Sequence, residues 1–180
     1  MTSTDRLTAL ENAVFLRDTN AFAILDGASI PGLLSLLYQP GVEFECLQGG
    51  DLAPDEAEVA PYLVRLERGM PLLARMLQSG WGQHWGIILQ AKGDLAAVRR
   101  HFRPLLIVHD EAGTPMRFRY YDPRVLSVYL PTCSPGELAE LFGPASSFLV
   151  ESGDRFESFA LAEGKLKRRR VPEIPTGERA

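Results

Sequence analysis

Hydrophobic positions along the chain change period several times, and each change marks an element. Leu7, Leu10, Val14 and Phe15 recur at helical spacing behind Thr4 and Asp5, so the spacing predicts a first helix ending near Arg17. Ala21 to Leu25 is an unbroken apolar run stopped by Asp26-Gly27, the mark of a buried strand and a turn. Leu33, Leu34, Leu36 and Leu37 follow Pro31 as a short helix closed by Pro40-Gly41. Val42, Phe44 and Cys46 then alternate with Glu43 and Glu45, which predicts a strand with one wet face. Asp51 to Glu58 reads as a loop or a short helical turn, and Tyr62 to Leu66 as a third strand.

Pro71 opens a helix carrying Leu72, Leu73, Met76 and Leu77, and His84 to Leu89 reads as a fourth strand after the Gly80-Gln83 loop. Asp94 suits the cap of a helix with Leu95, Val98 and Phe102 on one side and Arg99, Arg100 and Arg103 elsewhere. Leu105–Val108 and Met116–Tyr121 predict a hairpin. Asp122-Pro123 opens a further helix, and Ser134-Pro135 another with Glu137 at the capping-box position. Two short strands, Phe148–Val150 and Phe156–Leu161, come last. Strands and helices alternating in this way predict an α/β (α+β) fold. Its mixed β-sheet is flanked by helices, with a late hairpin and a short C-terminal extension. The expected organisation is one domain over residues 1–162, followed by a basic, proline-containing and flexible tail over 163–180.

The chain has 180 residues, enough for a core without disulfides or metal, and a formal net charge of −4, which argues against a general nucleic-acid binder. Cys46 and Cys133 stand far apart, outside any CxxC or CxxH setting, and read as inert thiols. No signal-peptide pattern or membrane-length apolar run is present, so the expected location is the cytoplasm, with no membrane contact. No phosphate loop, HExxH or GxSxG motif stands in the chain, and no cofactor, metal or catalytic residue is assigned.

Three places could carry chemistry. His84 lies between two tryptophans, Trp81 and Trp85, and reads either as an acid–base imidazole or as a packed strand-edge residue. In RFRYYDPR, a strand would project Arg117, Arg119 and Tyr121 from one face and Phe118 and Tyr120 from the other. That face either recognises a carboxylate or phosphate through its guanidiniums, or pairs Arg119 or Arg124 internally with Asp122 or Asp26. The basic run Lys165 to Arg170 is either an anionic-partner contact or a solvated tail.

Several stretches taken in order carry a resemblance: FAILDGA, PGLLSLLY, ECL, APYLVRL, PLL, GWGQHWGIIL, FRYYDPRVL and LFGPASSFLV, spread over residues 21–150. The series is similar to a domain-of-unknown-function family associated with adaptor chaperones of bacterial type VI secretion. That resemblance implies a non-enzymatic role: binding a secreted effector protein and docking it on the spike-tip protein. The matching positions include Tyr38, Leu63, Gly86 and Pro61, with Asp26, Trp85, Asp122 and Pro123 as architectural residues. Partner contact is expected at Phe44, Tyr62, Trp81, His84, Arg119, Tyr121 or Arg124. The alternative is a small cytoplasmic enzyme or ligand-binding protein whose cleft gathers Asp26, His84, Arg119 and Asp122.

Overall fold

The computed structural model describes residues 3–172. In chain order the elements are α1 (Ser3–Val14), β1 (Asn20–Asp26), α2 (Leu33–Leu37), β2 (Phe44–Cys46), α3 (Pro54–Val59), β3 (Pro61–Leu66), α4 (Pro71–Gln78), β4 (Gly86–Ala91) and α5 (Leu95–Phe102). Then come β5 (Ile107–His109), β6 (Pro115–Arg117), α6 (Pro123–Tyr129), α7 (Pro135–Phe142), β7 (Ala145–Ser152), β8 (Arg155–Ala162) and β9 (Lys165–Val171). Seven strands form one sheet in the order β2-β3-β1-β4-β7-β8-β9, and β5 and β6 form a separate hairpin. The fold is α+β, as the alternation of strand and helix signals implies. Where that alternation suggested a sheet of mixed direction, every neighbouring pair runs antiparallel.

The sheet has helices on both faces, which is why β1 is apolar at every position from Ala21 to Leu25. Ala21, Ala23 and Leu25 join Tyr62, Val64, Ile88, Leu149 and Phe156 against Leu10 and Val14 of α1, Leu33 and Leu37 of α2, and the apolar stripe of α4. Phe22 and Ile24 face the other way, with Leu63, Leu89, Phe148 and Phe159, onto Phe102 of α5, Leu126 of α6 and Phe142 of α7. Each fully buried side chain of this size contributes about 1.5–3 kcal/mol.

The one amide buried inside β4 closes a helix end. Gln90 Nε2 donates to the Ala13 and Val14 carbonyls at 2.9 and 2.8 Å, groups the last turn of α1 leaves unpaired, and its oxygen accepts from Ser147 Oγ. The caps read from sequence are in place: Asp94 accepts from Ala97 N–H at 2.8 Å, and Ser134 and Glu137 form a reciprocal capping box. Gly86 is obligatory at the start of β4, because with φ 152° a Cβ would lie 2.0 Å from the Ile24 carbonyl oxygen.

Three expectations are corrected. Lys165–Val171 is the outermost strand of the sheet, paired with β8 from Phe156↔Val171 to Ala162↔Lys165, and not part of a flexible tail. The remainder of the expected tail, residues 173–180, lies outside the described residues. His84 precedes β4 at φ 57°, because the strand starts only where Gly86 can approach β1. The strand begun at Pro115 stops at Arg117. There Phe118 N–H still donates to the Leu106 carbonyl at 2.9 Å, and the chain then turns inward to bury Tyr120 and Tyr121.

Candidate functional site

Most of the polar residues singled out in the sequence meet at one end of β1. Asp26, 2% exposed, ends that strand. Its carboxylate accepts from Ala28 N–H at 3.2 Å, Ser29 Oγ–H at 2.8 Å and Arg119 Nη2–H at 2.5 Å. Burial opposes the charge on Arg119, but attraction to Asp26 and their hydrogen bond outweigh it and hold the guanidinium above its ordinary value. Arg119 also stands over the Tyr121 ring, 5.9 Å from its centre. Burial, helped by Asp26, pushes the Tyr121 phenol up, against the pull of Arg119 and Arg117.

Next to this pair, Asp122 caps α6 and grips Arg124 at two points. Arg124 Nε donates to Oδ1 at 3.0 Å and Nη2 to Oδ2 at 2.7 Å, while the Arg124 backbone N–H donates to Oδ1 at 3.0 Å. Burial works to raise Asp122, yet these bonds prevail and hold it below the usual carboxylate range. Pro123 fits the first turn of α6 and is buried. The internal-pairing alternative of the sequence is therefore the arrangement present. Each acid holds three donors: Asp26 pins the chain after the hairpin to the end of β1 through Arg119, and Asp122 fixes the start of α6 through Arg124. Tyr120 adds to the same anchor, its hydroxyl donating to the Phe102 carbonyl at 2.8 Å.

The other candidates lie elsewhere. His84 Nδ1 stands 3.0 Å from Glu151 Oε1, whose carboxylate also accepts the backbone N–H groups of Gly82 and His84. Glu151 shares strand parity with Leu149, so this contact sits on the α1/α4 face, whereas Asp26 shares parity with Ile24 and faces α5 and α6. The cleft joining Asp26, His84, Arg119 and Asp122 is thus not formed. Trp81 belongs with His84: its ring meets Phe156 edge-on at 5.1 Å, carries Arg6 at 4.8 Å, and its Nε1–H donates to the Gly153 carbonyl. Trp85 packs partly buried against Gly80 in the same layer. Phe44 and Tyr62 form a third cluster with the exposed Tyr38, and the Tyr62 hydroxyl donates to the Ala57 carbonyl at 2.7 Å. Burial pushes the Tyr62 phenol to about 12.

Two features were not assembled from the sequence. The first is the outer edge of β9. In an edge strand, alternate residues turn N–H and C=O away from the sheet, and here Lys165, Lys167, Arg169 and Arg170 are exposed along it. None of these four has a carboxylate partner among the described residues, while Arg168 is held by Glu157, with Nη2 to Oε2 at 2.8 Å. The second is a groove of about 400 Å³ under the hairpin, lined by Leu47, Gly49, Pro61, Arg103, Ile107, Arg117 and Tyr121. Its residues come from five separate stretches, and only Arg117 and Tyr121 lie in one, RFRYYDPR, that reads as candidate chemistry. Among the described residues, no three His, Cys, Asp or Glu side chains are placed to hold a metal ion, and no helix is long and apolar enough to cross a membrane.

A family model described as a domain of unknown function, DUF4123, matches residues 21–140, from β1 into α7. No curated protein and no solved structure matches the chain. The match takes in the Asp26–Arg119 anchor and the groove, and stops before β7, β8 and β9.

Proposed function

The chain belongs to the DUF4123 family, and from that premise we propose that it is an adaptor chaperone that binds a secreted effector polypeptide and loads it onto the spike-tip protein of a type VI secretion machine. It works in the cytoplasm, before export, by shape and surface, without covalent chemistry. The ordered series of motifs that resembles such adaptors supports this reading, and the observation that carries it is the edge of β9.

That edge is seven residues long and outermost in the sheet. An extended client segment can add there as an eighth strand, main-chain bonds supplying affinity and alternate side chains specificity. Lysines and arginines on an edge deter pairing with a second copy of the same strand, since like charges would face each other. The same charges attract an acidic strand. β9 therefore discourages self-association and favours a foreign, acidic polypeptide, as an adaptor requires.

Co-expression of the chain with each protein encoded beside it, followed by affinity capture, tests the proposal. One effector is expected to stay bound through purification and to lose delivery when the adaptor gene is deleted. Capture of no neighbouring product, with delivery unchanged, would overturn it.

A further inference from the structure

We propose that the groove beneath the β5–β6 hairpin is a second peptide-binding site, taking an extended segment through one apolar side chain and an adjacent side-chain carboxylate. The inference rests on the adaptor reading only in naming the occupant a polypeptide; the chemistry is that of the groove itself.

Leu47, Pro61, Pro104, Leu106 and Ile107 give it an apolar lining, and Ile107 remains 48% exposed. Two arginines, both exposed, also line it. Arg103 leaves the C-terminal end of α5 and lies across Gly49, where a Cβ would be 2.2 Å from its Nη2. Arg117 closes β6. Neither has a carboxylate partner among the described residues, and unlike the unpaired arginines elsewhere on the surface both border this apolar groove. Asp26, the buried acid that acts on Tyr121 of the groove lining, is already taken by Arg119 and by two donors of its own turn. The groove thus offers uncompensated positive charge beside apolar surface on a protein whose net charge is negative.

That combination selects its ligand. A bare oxyanion would leave the apolar lining uncovered, and an apolar side chain alone would leave both exposed guanidiniums to water. A carboxylate can take them in the forked geometry that suits Arg. The volume, about 400 Å³, is near the low end of the roughly 300–1,000 Å³ of sites that enclose a whole small molecule. It fits a short stretch of a longer chain. Six strand spacings of about 4.8 Å put the β2 side of the sheet, where the groove lies, roughly 29 Å from β9. One polypeptide can therefore be held at each end without collision.

The test uses two blocked tetrapeptides, acetyl-Gly-Leu-Glu-Gly-amide and its glutamine counterpart, with amide chemical shifts of the full chain as the readout. The glutamate peptide is expected to shift the signals of Leu47, Gly49, Arg103, Ile107, Arg117 and Tyr121. The glutamine peptide is expected to bind about tenfold more weakly, the scale of a charge-assisted hydrogen bond. Arg103→Ala combined with Arg117→Ala should erase the preference. Gly49→Ala, which must displace the Arg103 guanidinium, should reduce it with the sheet intact. Equal binding of the two peptides, no binding of either, variants that behave as wild type, or the same shifts with inorganic phosphate would each overturn the proposal. Because the probes are free peptides, such a result would leave capture of a neighbouring gene product standing. Peptide binding without any captured partner would sink the adaptor reading and spare the groove.

Discussion

The two edges of the sheet are built in opposite ways. At one end β2 is three residues long, and its register with β3 leaves the backbone groups of Phe44 and Cys46 pointing outward. Arg99 reaches over from α5 and donates to the Cys46 carbonyl at 2.9 Å, with Glu45 3.5 Å away as its ion partner. Close by, Asp26 and Tyr62 each tie one element to another, and Asp122 caps α6. At the opposite end β9 is more than twice as long, no further strand pairs with it among the described residues, and four of its cations have no carboxylate partner there. The closed end spends its polar groups on the fold, whereas four cations of the open end have no carboxylate partner within it among the described residues. The family match has the same division, covering the closed end and stopping before the open one.

Mutations at the two ends should therefore separate stability from binding. Asp26→Ala is expected to cost most, about 2–3 kcal/mol in urea unfolding. It leaves three donors without their acceptor, although Arg119, 43% exposed, recovers part of its loss in water. A loss below about 0.5 kcal/mol would mean that the anchor is ornamental. Tyr62→Phe should cost about 1 kcal/mol by removing the bond to the Ala57 carbonyl. At the open end, Lys167→Ala with Arg169→Ala should leave the urea midpoint within about 0.5 kcal/mol of wild type. The pair should still weaken capture of the effector and flatten its salt dependence. Destabilisation comparable to Asp26→Ala would erase the contrast between the edges.

A smaller effect concerns pH. The Asp122 carboxyl is held below its ordinary value of 3.8 in the folded chain, so its contribution is complete above that pH and fades as acid protonates the folded form. Arg124→Ala removes the side-chain donors, the foremost of the lowering influences, and keeps the backbone N–H. Its destabilisation, measured by urea unfolding, should be visible at pH 7 and shrink below about pH 4. A difference that stays constant with pH would assign the loss to packing.

Much of the fold was legible in the sequence because its signals are local. Asp94, Ser134 with Glu137, and Asp122-Pro123 announce helix starts through the residues beside them, and Ala21 to Leu25 announces a central strand by lacking any polar position. Pairing of Arg119 and Arg124 with Asp26 and Asp122 was among the readings the sequence allowed. β9 was misread because Lys165 to Arg170 offers one apolar residue, Leu166, so neither face of the strand shows a period of two. Its strand character comes from β8, which supplies the backbone partners and, through Glu157, a counter-ion for Arg168. The groove was hidden for a different reason: Leu47, Pro61, Arg103 and Arg117 are brought together only by tertiary packing.

Amide hydrogen exchange on β9, with and without the captured effector, tests the account at its centre. In the free chain the outward-facing amides of Lys165–Val171 should exchange quickly and those bonded to β8 slowly. With the effector bound, the outward set should become protected while β2 is unchanged. Unaltered exchange along β9 in a complex that remains intact would contradict the account, because the open edge would then hold nothing.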